Sequence, residues 1–410
     1  MAKGKLKKEL GLFDILMFGI GGIVGAGIYA IIGEAAGVGG NMLWLSFVIA
    51  AIVALLTGLT YAEFVSRFPD AGGSFEYVKR GLGETTALAF SIIMLLTGLV
   101  SAATIGISFS GYLSQLLEVP QWITTIGIIA LMGLVNAVGA QEASWFNLLA
   151  TAVTLFGLGA VIYFSAEDWG STPLWSSAEE RDYTGILAGS ALIFFSYIGF
   201  EDLVKMAEET KNPEYVMPRG ILISGVVVLV LYVAIAISAV SVISADKLAE
   251  VDGPLATVIE QKAGSTWVTI IVAVALFATS KTILSNLIGT SRLLYDVARD
   301  TGIGWLKRLT HVNATTDTPI PAIILITGIA IAFSLIGDLK TVASISNICI
   351  IVVFLAVNTA LIVYRHRHPD EADAAFRVPG NVNNIPIPTI LALLGVLLLL
   401  GFNIYNLTTG

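Results

Sequence analysis

Three groups of residues stand out because the sequence around them is almost wholly apolar. Gly19, Gly21, Gly22, Gly25 and Gly27 place five glycines within nine residues of one apolar run. In a second run, Phe194-Phe195-Ser196-Tyr197-Ile198-Gly199-Phe200-Glu201-Asp202, a glycine is followed by two acids. Lys281 lies in a third, Phe277-Ala278-Thr279-Ser280-Lys281-Thr282-Ile283-Leu284, with no acid nearby in sequence. Glycine costs about 1 kcal/mol against alanine in a helix interior, so the first run invites unwinding and frees backbone N–H and C=O groups for a ligand. Carboxylates and an ammonium at such depth are costly, and their default reading is functional. A lysine there could load and release a proton.

The remaining motifs narrow the function classes. Cys349 is the single cysteine, so neither a disulfide framework nor a Cys-based metal site is possible, and it reads as a packing residue. Arg365-His366-Arg367-His368 offers two histidines at i, i+2, a weak metal signal, and is read as a basic anchor on the inner face. The glycine run lacks the GK[ST] ending of a phosphate loop. No nucleophile–base constellation is recognisable, so no enzyme, no cofactor and no metal is expected, and no nucleic-acid partner.

The elements that must position these residues follow from composition. Of 410 residues, 56% are hydrophobic and 13% charged, where a soluble domain carries about 25% charged. Apolar stretches long enough to cross a bilayer recur at 11–32, 40–66, 87–117, 121–140, 144–165, 184–206, 217–243, 266–296, 319–337, 341–364 and 385–406. The chain therefore reads as an all-α integral membrane protein of about 11 transmembrane helices, a single domain over 1–410 with the lipid bilayer as its surroundings. The basic start has no small-residue cleavage site, so the first segment reads as a retained helix. The segment from Asp70 to Arg80 reads as an amphipathic helix along the inner interface. Of the 22 Lys and Arg, only Arg181, Lys247, Lys262 and Lys340 fall in one alternate set of loops; the rest, Lys281 aside, fall in the other. By the positive-inside rule the rich set is cytoplasmic. The amino terminus is then inside a cytoplasmic membrane and the carboxyl terminus outside.

The glycine run falls in the first span and the Gly199 block in the sixth. Interruptions at corresponding places point to a five-plus-five inverted repeat with broken first and sixth helices, repeat one about 11–165, repeat two about 184–364 and an extra helix about 385–406. Unwound backbone at this depth is tolerated only against protein or a water-filled cavity. Close helix packing through small residues stays open as an alternative.

At these residues the chain resembles the amino acid–polyamine–organocation (APC) transporter superfamily. Gly25-Ala26-Gly27-Ile28-Tyr29 is typical of it but short. The Phe194–Asp202 block is more specific, continuing through Ala207-Glu208-Glu209-Thr210-Lys211-Asn212-Pro213 to Pro218-Arg219. Ser291-Arg292-Leu293-Leu294-Tyr295-Asp296-Val297-Ala298-Arg299-Asp300 and Phe68-Pro69-Asp70-Ala71-Gly72-Gly73-Ser74 are further matches, in the right order from about residue 10 to 370. Usual members have twelve or more spans, against eleven here, and the sequence sets no oligomeric state.

A zwitterion in a bilayer needs its carboxylate and ammonium satisfied separately, and half-helix ends supply free N–H groups for one and free carbonyls for the other. The resemblance implies that the amides of Gly25, Ala26 and Gly27 take the carboxylate, and that carbonyls near Ile23, Phe195 and Ile198 take the ammonium, with Ser196 in the same wall. It also implies Phe195 as an aromatic closing the site. Glu201 could bond backbone across the break, titrate or hold the break open; Asp202 could be a second such group, and Glu208 and Glu209 read as gate or surface charges. Sodium-coupled relatives hold the ion between first-span carbonyls and eighth-span hydroxyls, here Thr279, Ser280 and Thr282. Some proton-coupled relatives place a lysine there from the fifth span. Thr154 stands at that position, so Lys281 could supply the cation from the opposite wall. Asn347 and Asn358 are expected to bond between helices.

The function expected is secondary active transport of amino acids by alternating access, with proton as the coupling ion and sodium as the lesser alternative. A polyamine or organic-amine carrier is a second reading, since Glu201 and Asp202 could replace the amide contacts. A channel or non-transporting sensor is a third, though no repeated filter element appears.

Overall fold

The computed structural model describes residues 10–69, 73–139, 144–175, 183–301, 304, 306–313, 315–316, 318–369 and 374–409. The basic start before residue 10, Asp70–Gly72, Glu179-Glu180 and Arg181 lie outside the described residues. The eleven apolar segments all become helix. The first is split into α1 (Leu12–Ile23) and α2 (Ala26–Gly39); α3 (Leu43–Arg67) follows. A short helix α4 (Ser74–Leu82) precedes α5 (Glu84–Leu113), α6 (Gln121–Ala137) and α7 (Ser144–Ser165). The sixth segment begins as α8 (Tyr183–Ile193), tightens into a 3-10 turn at Phe194–Tyr197 and resumes as a 3-10 stretch at Phe200–Glu209. Then come α9 (Pro213–Val242), the short α10 (Ala245–Glu250) and α11 (Pro254–Ala263), α12 (Ser265–Thr301), α13 (Ile320–Ser334), α14 (Leu339–Arg367) and α15 (Ile387–Thr409). Between α14 and α15 the pairs Asn381–Val382 and Ile385–Pro386 form a two-stranded hairpin, turned by Asn383 and Asn384 at φ 48° and 66°.

Among the described residues, eight helical stretches are long and apolar enough to cross a membrane, and Leu12–Ile23, Gln121–Ala137 and Ile320–Ser334 are shorter apolar helices. The half-length of α1 is a direct consequence of the break that follows it. This is a multi-pass membrane protein. Its outward faces carry side chains such as Ile223, Val226 and Val230, exposed on α9, as lipid requires. Loops assigned to one side by charge do meet: Lys262 Nζ donates to Asp168 Oδ1 at 2.7 Å, and Arg367 Nη1 donates to the Gly81 carbonyl at 3.2 Å.

The segment read as an interfacial helix is α4, but its apolar face is used within the protein. Tyr77 stacks on Phe64 of α3 at 4.8 Å, the Tyr61 hydroxyl lies 2.6 Å from Ser74 Oγ, and Gly81 lies directly against Ala360 of α14. Phe200 joins this aromatic group through Tyr61 at 5.6 Å and Phe354 at 5.4 Å, so the carboxyl-terminal half of the sixth segment, the inner half by loop charge, is packed on α3 and α14.

The basic anchor expected at 365–368 is corrected at its first member. Arg365 is buried, not surface-facing. Its Nε donates to Glu63 Oε1 at 2.8 Å and its Nη2 bonds Glu63 Oε2. Arg67 Nε donates to the same Glu63 Oε1 at 3.0 Å, and Val378 N to Oε2 at 2.8 Å. A fully buried carboxylate must be paired and hydrogen-bonded, and Arg365 is the group that reaches it. The result staples α3, α14 and the hairpin segment together. The tenth-span asparagines behave as expected. Asn347 Nδ2 donates to the Ala191 carbonyl of α8 at 2.8 Å, and Asn358 Nδ2 to Thr57 Oγ1 of α3 at 3.2 Å.

Candidate functional site

The first segment stops being helical at Val24 (φ −78°, ψ 74°) and Gly25 (φ −121°, ψ −135°). Two alternatives for the glycine run, unwinding and close packing, are both realised. The backbone opens at Val24-Gly25, and the glycines bring the two broken segments together. A Cβ on Gly27 would lie 2.6 Å from Ser196 Cα, and one on Gly199 2.5 Å from the Gly22 carbonyl oxygen. Gly199 also has φ 124°, a conformation that side chains disfavour. Both positions therefore demand glycine, and the two interruptions lie back to back.

Glu201 is explained by this geometry. Its Oε2 accepts a 2.8 Å hydrogen bond from Gly199 N, the amide orphaned where the sixth segment restarts. Asp202 instead is exposed and pairs with Lys205. Glu208 is exposed and Glu209 partly so, and the Glu209 carbonyl accepts from Leu10 N at 3.0 Å.

The expected binding groups stand as follows. Gly25 N donates to the Ile23 carbonyl at 2.9 Å, and Ala26 N to Thr282 Oγ1 at 3.4 Å. The Ile23 carbonyl also accepts from the Tyr232 hydroxyl of α9 at 3.0 Å. These groups thus hold protein partners that a ligand would have to replace. The Phe195 carbonyl accepts a long 3.3 Å bond from Ile198 N. Phe195 is 5% exposed and Ser196 1%, and Ser196 Oγ is a buried hydroxyl with no hydrogen-bond partner. A narrow recess touches both interruptions, lined by Ile23, Tyr197 and Phe200 together with Ala51, Ala54 and Gly58 of α3 and Ile221 and Gly225 of α9. Of the expected binding residues only Ile23 lines it.

The eighth span crosses this break. Lys281 Nζ donates to the Gly21 carbonyl at 3.4 Å, in the last turn of α1, where a helix carboxyl end favours a cation. Thr279 Oγ1 and Ser280 Oγ donate to the Ala275 and Leu276 carbonyls of their own helix, each at 2.7 Å. Thr282 is the hydroxyl that reaches the break. In the fifth span, Thr154 bonds its own Ala150 carbonyl at 2.8 Å, and the residue standing against Gly21 is Thr151. Tyr232 and Thr151 are the participants that the sequence reading missed. A tyrosine in mid-span needs an acceptor for its hydroxyl, and that was the available signal for Tyr232.

Two interrupted helices set back to back within a bundle of membrane-length helices fit the way solute transporters hold a small polar substrate. The amino acid permease family matches residues 10–410, and the chain belongs to that family, within the APC superfamily. The chain is 30% identical to the branched-chain amino acid permease BcaP of Bacillus subtilis, with 97% of this chain and 89% of the relative covered. It is 28% identical to the inner membrane transport protein YbaT of Escherichia coli, covering 98% and 90%. It is also 30% identical to cationic amino acid transporter 1 of Arabidopsis thaliana, covering 88% of this chain and 63% of that protein. The chain spans nearly all of the two bacterial relatives and under two thirds of the plant one. It is an amino acid transporter, not an enzyme.

Proposed function

We propose that this protein carries a free amino acid across the cytoplasmic membrane by proton-coupled alternating access, with the substrate held between the two interruptions. The carboxylate would replace the present partners of the Gly25 and Ala26 amides and meet the Gly27 amide beside them. The ammonium would face the carbonyls of Ile23, Phe195 and Ile198, with Ser196 Oγ available as a further partner and Phe195 covering the site. One observation carries the coupling: Lys281 Nζ on the Gly21 carbonyl, an ammonium standing where a coupling cation would. Charged, it ties α12 to the inner half of the first segment; deprotonated, it lets them part. The Lys281 ammonium on the Gly21 carbonyl supports proton over sodium, since it already brings a positive charge to the place a sodium ion would take. The local pairing of Glu201 and Asp202 supports a zwitterion over a polyamine, which would need those acids for itself. The amino terminus is read as cytoplasmic from loop charge.

The test is uptake into proteoliposomes driven by a pH gradient. Lys281→Met should abolish the response to the gradient while counterflow exchange of substrate persists. Intact gradient-driven accumulation in that variant would end the coupling role.

A further inference from the structure

The outer half of the sixth segment is gripped by its carbonyls. Ser46 Oγ of α3 donates to the Ile186 carbonyl at 2.8 Å. Asn406 Nδ2 of α15 donates to Ala188 at 3.0 Å. Asn347 of α14 and Asn403 of α15 both donate to Ala191, at 2.8 and 3.3 Å, and Asn347 also reaches Leu192 at 3.2 Å. All three asparagines are at most 4% exposed. Their partners are carbonyl oxygens, so only the Nδ2-inward orientation fits. Asn347 Oδ1 and Asn403 Oδ1 have no hydrogen-bond partner and are buried. An apolar side chain would fill the same space without an orphaned oxygen; what the amides add is a directed bond to α8.

The inner half also packs on α3 and α14 through Phe200, but its polar mount is separate. Glu209 and Lys211 pair through backbone with Leu10, before the start of α1, at 3.0 and 2.9 Å. Between the halves lie Ile198 and Gly199, the latter at φ 124°. We infer that Asn347, Asn403 and Asn406 are positioning residues for transport. They clamp α8 to α14 and α15, so that the carbonyls of Phe195 and Ile198 stay fixed while the inner half moves with the first segment about Gly199. This assigns α15 a part in substrate binding although it contributes no contact to the substrate. The inference rests on the interrupted sixth segment being the substrate site.

The test compares Asn403→Leu/Asn406→Leu with Asn358→Leu, which removes an equally buried amide that ties α14 to α3 instead. Substrate KM in counterflow, Tm, and hydrogen exchange of the Leu192–Ile198 amides are measured for each. The clamp variant should raise KM about five-fold or more and speed exchange at 192–198, at a Tm no lower than that of Asn358→Leu, whose KM stays at the wild-type value. If the double variant does not fold, Asn406→Leu alone should show a rise of about two-fold. A loss confined to Vmax or folded yield, with KM and local exchange as in Asn358→Leu, overturns the clamp. If the wild type transports no amino acid, the substrate reading fails while the exchange comparison still decides the clamp.

Discussion

At the scale of single residues, the site is governed by how closely two backbones approach. Gly199→Ala would place a Cβ 2.5 Å from the Gly22 carbonyl at a φ of 124°, and such backbone strain alone costs about 1–3 kcal/mol. Transport per folded molecule should fall at least about ten-fold, measured as initial uptake at matched protein density; near-normal uptake would mean that the two breaks need not touch. Glu201 acts through an acceptor oxygen. Glu201→Gln should retain the bond from Gly199 N and stay close to wild type in Tm, while Glu201→Ala should lose about 1–3 kcal/mol. Equal damage from both would show that the charge, not the bond, matters. The glycines, Glu201 and Lys281 were legible in the sequence because each is anomalous within an apolar run. Tyr232 and Thr151 were not, because a hydroxyl in a span is ordinary and its target depends on helix rotation, which sequence spacing does not fix.

At the scale of elements, apolar run length placed every span, since a bilayer leaves few alternatives to helix. The break in the sixth segment is sharper than its glycine content suggested. It begins with a 3-10 turn at Phe194–Tyr197 and continues as a ten-residue 3-10 stretch, longer than such helices usually run and a mark of hinges. What sequence could not supply was partner choice. Arg365 sits in a basic run that reads as surface, yet it is drawn inward by Glu63, 302 residues away. Arg365→Met should therefore lower stability by about 3 kcal/mol or more, as removal of one partner from a buried pair does, and Arg67 beside Glu63 sets the low end of that range. The double variant Glu63→Gln/Arg365→Met should recover much of the loss, read as Tm of purified protein. If the single variant alone leaves Tm unchanged, the cluster is not a staple.

At the scale of the whole molecule, loop charge predicts which way the bundle sits. With Cys349 replaced by serine, a cysteine introduced at Lys262 should react with a membrane-impermeant thiol reagent on intact cells, and one introduced at Lys205 only after lysis. The reverse pattern would invert the orientation. The central claim is chemical, and it does not depend on orientation: the proposed site uses peptide groups at two breaks, freed from their present partners, to recognise a carboxylate and an ammonium at once. The direct measurement is competition in proteoliposome counterflow between the best-transported amino acid, its methyl ester and the amine left by removing its carboxylate. The free amino acid should compete fully, and the ester and amine at least about a hundred-fold more weakly, since each leaves one set of peptide groups unmet. An amine or polyamine that competes as well as the amino acid would contradict the account.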